Sequence, residues 1–112
     1  MNDAIAGDDI IGVRANGERI TIKLRLGRPY RKDINPETWA CPVSLDPLHP
    51  RLSDIVGDSS LQSLCLATRL ALYLLGGFKE DGGRLLCDDG TEFPLEAHAL
   101  VDPNARRGQS EA

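Results

Sequence analysis

The chain predicts an α+β fold: an antiparallel meander of three or more strands plus a C-terminal hairpin, with one main helix packed across one face. Three observations carry this. Asn16-Gly17 separates two apolar segments, Ile20, Ile22, Leu24 and Leu26 alternate with Thr21, Lys23 and Arg25, and residues 61–75 carry leucines at helical spacing. A period of 2 marks a half-buried strand and a period near 3.6 marks a helix.

Asn-Gly is the cheapest pair for a two-residue hairpin loop, because both central positions need positive φ. Placed there, the turn sets Val13 opposite Ile20 and Ile11 opposite Ile22 on one face. The other face then pairs Gly12 with Thr21, Ile10 with Lys23 and Asp8 with Arg25. Residues 29–37 are polar and bounded by proline, which reads as a loop. A third strand follows, with Trp39, Cys41, Val43 and Leu45 pointing inward and Ala40, Pro42, Ser44 and Asp46 outward. Pro42 has no amide to give to a ladder, so it belongs on an edge or at a bulge.

The helix opens with Ser59-x-x-Gln62, the pattern of a capping box. Leu61, Leu64, Cys65, Thr68, Ala71, Leu72 and Leu75 form the expected core face, and Gly76-Gly77 reads as the stop. Leu66, Leu70 and Leu74 fall outside that face. Leaving three leucines wet would forgo several kcal/mol of burial at ~25 cal/mol per Å2. A homodimer through this helix, or through a sheet edge near Pro42, follows as an expectation. A second hairpin is expected from residues 84–87 to 91–93 around Asp89-Gly90, pairing Leu86 with Phe93. Residues 95–100 suggest a short helical turn, residues 1–100 one domain, and residues 101–112 a frayed tail.

At 112 residues, 41% apolar and 27% charged, the chain has the size and composition of one globular domain. The start is acidic and short of apolar residues, unlike a signal peptide, and the leucine run is broken by Arg69 before reaching the ~18–20 residues of a bilayer crossing. Cytoplasm without membrane association is the expectation. Cys41, Cys65 and Cys87 are widely spaced and odd in number, which gives neither a zinc ribbon nor a disulfide framework. No metal and no cofactor are expected.

Charge is uneven. Between positions 14 and 32 stand Arg14, Arg19, Lys23, Arg25, Arg28, Arg31 and Lys32 against Glu18, a local +6 in a chain of net charge −4. An acidic protein with a single basic segment is a poor general nucleic-acid binder, so none is expected. Within that segment Arg25, Arg28, Tyr30, Arg31 and Lys32 are the candidate binding residues, a set able to hold a carboxylate or phosphate. The competing reading is a solvated basic loop that offsets Asp88, Asp89 and Glu92. Gly76-Gly77 and Gly82-Gly83 follow a helix, the reverse of a phosphate-cradling loop. Cys41 and Cys65 point toward the core, where a thiol is inert, and no catalytic residue is assigned. Trp39 reads as a core anchor.

Three islands, Leu26-Gly27-Arg28-Pro29, Trp39-Ala40-Cys41-Pro42-Val43 and Ser60-Leu61-Gln62-Ser63-Leu64, together resemble a family of small uncharacterised bacterial domains of unknown function. The resemblance spans about residues 11–75 and implies a small bacterial cytosolic protein; it transfers no functional residue. The basic segment in an acidic chain points instead to protein interaction or regulation, and a small acidic chain without catalytic motifs also suits an immunity-type role that neutralises a toxin. The alternative is a small-anion or nucleotide-binding domain using residues 28–32. Binding ranks above catalysis.

Overall fold

A long hairpin, folded over on itself, organises the molecule. In the computed structural model, which describes residues 3–98, the strands are β1 (Ala4–Val13), β2 (Arg19–Gly27), β3 (Tyr30–Ile34), β4 (Glu37–Cys41), β5 (Val43–Asp46), β6 (Ile55–Gly57) and β7 (Arg84–Leu86). The helices are α1 (Ser60–Glu80) and α2 (Leu95–His98). One sheet runs in the order β5-β2-β1-β7 and the other β3-β4-β6, with every pairing antiparallel. The expected α+β architecture is present. The expected third strand is not one strand but two, β4 and β5, which belong to different sheets and meet at Pro42. Pro42 thus sits at a corner rather than on a sheet edge. The tail expected over residues 101–112 lies outside the described residues.

Both hairpins form, each one residue out of the expected register. Arg14 N–H donates to the Glu18 carbonyl and Gly17 N–H to the Arg14 carbonyl, both at 2.8 Å, so the loop is Ala15-Asn16-Gly17. Only Gly17 has positive φ, at 91°, and Asn16 Oδ1 accepts from Glu18 N–H at 2.9 Å. This is a three-residue loop closed by a left-handed glycine, not a two-residue turn. The second hairpin repeats it. Cys87 N–H donates to Thr91 O and Gly90 N–H to Cys87 O, with Gly90 at φ 89° and Asp89 Oδ1 accepting from Thr91 N–H. Leu86 therefore faces Glu92, not Phe93.

A slip of one position exchanges the two faces of a strand. Ile10 pairs with Ile22 and both are fully buried, while Gly12 faces Ile20. Ile11 and Val13, expected inward, lie half-buried on the outer face opposite Thr21 and Arg19.

α1 runs three residues beyond Gly76-Gly77, to Glu80, and Phe78 explains why. Its ring is 8% exposed and belongs to the core. Burying it contributes about 2–3 kcal/mol, enough to offset two interior glycines at about 1 kcal/mol each. The stop is Gly82-Gly83: Gly83 N–H donates to Phe78 O and Gly82 N–H to Lys79 O, each at 3.0 Å, with Gly82 at φ 94°. Those two bonds make a Schellman cap. At the other end Ser59 Oγ accepts from Gln62 N–H at 3.0 Å, as the capping box requires, and Gln62 Oε1 accepts from Asp58 N–H. With 21 residues and a stretch of 18 whose mean hydropathy is 1.3, α1 is long and apolar enough to cross a membrane by length and composition, contrary to the reading of its leucine run. In this structure the helix packs on protein.

Its buried stripe is Ser63, Ala67, Ala71, Leu75 and Phe78. Leu61, placed in the core by periodicity, is 68% exposed. Leu64 and Leu72 are only partly buried against the core, and Cys65 and Thr68 are half-buried. Small residues at 63, 67 and 71 let the helix lie close to the sheets, and Leu70 and Leu74 pack against the core from the flank. Two of the three leucines thought to need a neighbour are thus covered within the chain. Leu66 stays half-buried. Trp39 is likewise half-buried rather than a core anchor, because β4 lies past the corner and the alternation read across residues 39–45 does not run unbroken.

Candidate functional site

The five basic-segment residues do not converge. Arg25 projects from β2 across β1, with Nη2 2.7 Å from Asp9 Oδ1 and Nη1 donating to Asp8 O at 3.2 Å and Leu24 O at 2.8 Å. It can cross there because position 7 is glycine: a Cβ on Gly7 would stand 2.3 Å from Leu24 O and 2.9 Å from Arg25 Cδ. Arg28, at the corner, pairs with Asp3 at 3.2 Å. Tyr30 Oη donates to Asp54 Oδ2 at 2.6 Å, and that carboxylate, aided by slight desolvation, pushes the phenol above its ordinary pKa. Arg31 reaches Glu37 at 3.5 Å and lies 5.4 Å from the Trp39 ring centroid, while Trp39 Nε1–H donates to the same carboxylate at 2.8 Å. Lys32 is exposed on β3. Three of the four charges are thus matched by carboxylates, on strands where the whole of β3 is exposed.

A concave site does exist, and only Arg25 of the five belongs to it. β7 pairs with β1 over Ile11, Gly12 and Val13 alone. From residue 4 to residue 10 the outer edge of β1 has no strand partner among the described residues. A groove of about 820 Å3 follows that edge, walled by β1 residues 4–9, by Arg25, and by Cys87, Asp88 and Phe93 where the second hairpin turns away. An unpaired strand edge presents a row of N–H and C=O groups at one fixed spacing. Arg25 brings its guanidinium beside it, with three donors already committed to Asp8 O, Leu24 O and Asp9 Oδ1. Ile5, 43% exposed, offers an apolar contact at the open end.

Elsewhere the chemistry is quiet. Cys41 is buried and its thiol is pushed above its ordinary pKa, first by desolvation and then by the Asp54 charge. Cys65, expected inside, is half-buried, as is Cys87. No group of three or more His, Cys, Asp or Glu side chains is placed to hold a metal ion among the described residues. The sequence reading missed the groove because its walls are backbone from Ala4-Ile5-Ala6-Gly7, which carry no motif. No local signal marks it, because the edge is left open only where the 10 residues of β1 meet the 3 of β7. No family model matches the chain, and no curated protein and no solved structure matches it either.

Proposed function

We propose that this protein is a non-catalytic protein-interaction module that takes up an extended segment of a partner along the open edge of β1. The observation that carries the reading is the unpaired stretch of β1, residues 4–10, opening on a groove of about 820 Å3. Main-chain hydrogen bonds along such an edge supply affinity, and the flanking side chains supply selectivity. Arg25, held in place over Gly7 by Asp8 and Asp9, forms part of the wall that an incoming segment would pass. The anion-binding alternative on residues 28–32 draws no comparable support, since Arg28 and Arg31 already face carboxylates. The case for a second copy now rests on this edge rather than on uncovered leucines.

A photo-crosslinking side chain placed at Ile5 tests the reading in cells, with one at exposed Thr21 as control. The expected result is a discrete adduct from position 5 whose crosslinked peptide is an extended segment of one protein. An adduct with the mass of two copies identifies edge-to-edge self-pairing instead, and equal labelling at 5 and 21 removes the reading.

A further inference from the structure

A second cavity, of about 440 Å3, opens at the C-terminal end of α1. We propose that it binds a small organic cation with an apolar body, at a site separate from the β1 edge. The first reason is Gly77. It sits inside the helix, where glycine is the least favourable residue apart from proline. A Cβ built on it would meet no atom within 4 Å, so the fold itself does not exclude alanine. Gly77 lines the cavity, and an added methyl would take up its space. The position gives up helix stability to keep that space open.

The walls define the occupant. The Tyr73 and Phe78 rings, with Leu48 and Leu74, supply the apolar surface, and the ring of Tyr73 is 77% exposed. Glu80 and Asp81 line the same cavity, and neither has an ion-pair partner among the described residues. Arg14, the cation on this wall, is neutralised by Glu18 at 2.9 Å and lies 6.0 Å from the Phe78 ring centroid. Lys79, which would otherwise offset the negative end of the helix, is drawn toward Glu92 and Glu96. The helix C-terminus, two unmatched carboxylates and an open aromatic face all favour a positive charge. His49 completes the wall, but its imidazole does not join a metal-holding group among the described residues. An ammonium group on an aromatic or aliphatic body fits this arrangement, and a cavity of this size falls in the range of small-molecule sites.

The probe is benzylammonium chloride, with benzyl alcohol as its uncharged counterpart, followed in amide NMR spectra of the full chain. The amine is expected to shift the Gly77 and Gly83 amides saturably, and the alcohol to bind at least about tenfold more weakly. The Glu80→Gln, Asp81→Asn double variant should weaken the amine by about tenfold or more with little change in melting temperature. Gly77→Ala should raise the melting temperature and abolish saturation, which separates a blocked site from an unfolded one. Equal binding of amine and alcohol, undiminished binding in Gly77→Ala, or no saturation at tens of millimolar amine overturns the proposal.

Discussion

The Gly27 amide donates to the Pro42 carbonyl at 2.8 Å, and the two sheets meet at that bond. β2 pairs with β5 on one side of it, and β3 pairs with β4 on the other. An ordinary ladder would return a bond from residue 42 to the Gly27 carbonyl, but proline has no N–H. The Cys41 thiol takes that place, 3.5 Å from Gly27 O, and also lies 3.5 Å from Pro42 O. Two of the three sequence islands therefore touch at one corner.

That corner predicts a reactivity order among the thiols. Cys41 is fully buried with its pKa pushed up, whereas Cys65 and Cys87 are half-exposed. A thiolate-selective reagent on the native protein should label Cys65 and Cys87 and reach Cys41 only on unfolding. Peptide mapping after a timed pulse checks this, and fast native labelling of Cys41 would contradict the corner as described.

Gly17 and Gly90 close the two hairpin loops at φ 91° and 89°. Space is not the constraint, since a Cβ at either would meet nothing within 4 Å. Alanine at either position should cost about 1–2 kcal/mol through backbone strain alone. Gly77→Ala, equally free of contacts but helical, should shift stability the other way. Urea midpoints of the three variants should therefore split in sign.

Gly57 is different, because its Cβ would stand 2.7 Å from the Ser63 amide nitrogen and 3.0 Å from Ser63 Cα. The first turn of α1 crosses β6 at that point, and neither backbone can yield cheaply. Gly57→Ala should destabilise by about 1–3 kcal/mol, the usual range for overpacking. A chemical denaturation curve with a clearly lowered midpoint and unchanged slope is the expected record.

The Tyr30–Asp54 bond predicts an alkaline limb in stability. Hydrogen bonding to Asp54, followed by desolvation and the Asp54 charge, raises the phenol above its ordinary value of 10.0. The unfolded state then loses its proton first. Stability from this pair is whole below that ordinary value and is lost as pH rises through the folded one. The pair is exposed, so its worth at neutral pH stays under about 1 kcal/mol. Tyr30→Phe should lower stability slightly at pH near 7 and flatten the decline seen between about pH 9 and 11.

Local chemistry written in the chain determined some of the elements, but not β3, which forms where the polar residues 29–37 read as a loop. Ser59 starts the helix because its hydroxyl takes up the Gln62 amide, and Ile20, Ile22, Leu24 and Leu26 make a one-sided strand because side chains alternate. Gly17 and Gly90 announce turns for the same kind of reason. What tertiary structure decided was how these pieces face one another. Asn16-Gly17 suits either a two-residue or a three-residue loop, and burial of Ile10 against Ile22 selects the latter. Phe78 carries α1 through two glycines because a core waits beyond them. Arg28 and Arg31 form an anion site on paper, yet Asp3 and Glu37 occupy them once the strands fold. The open edge of β1 exists only because β7 is short and turns away, a relation between segments some seventy residues apart that no local pattern encodes.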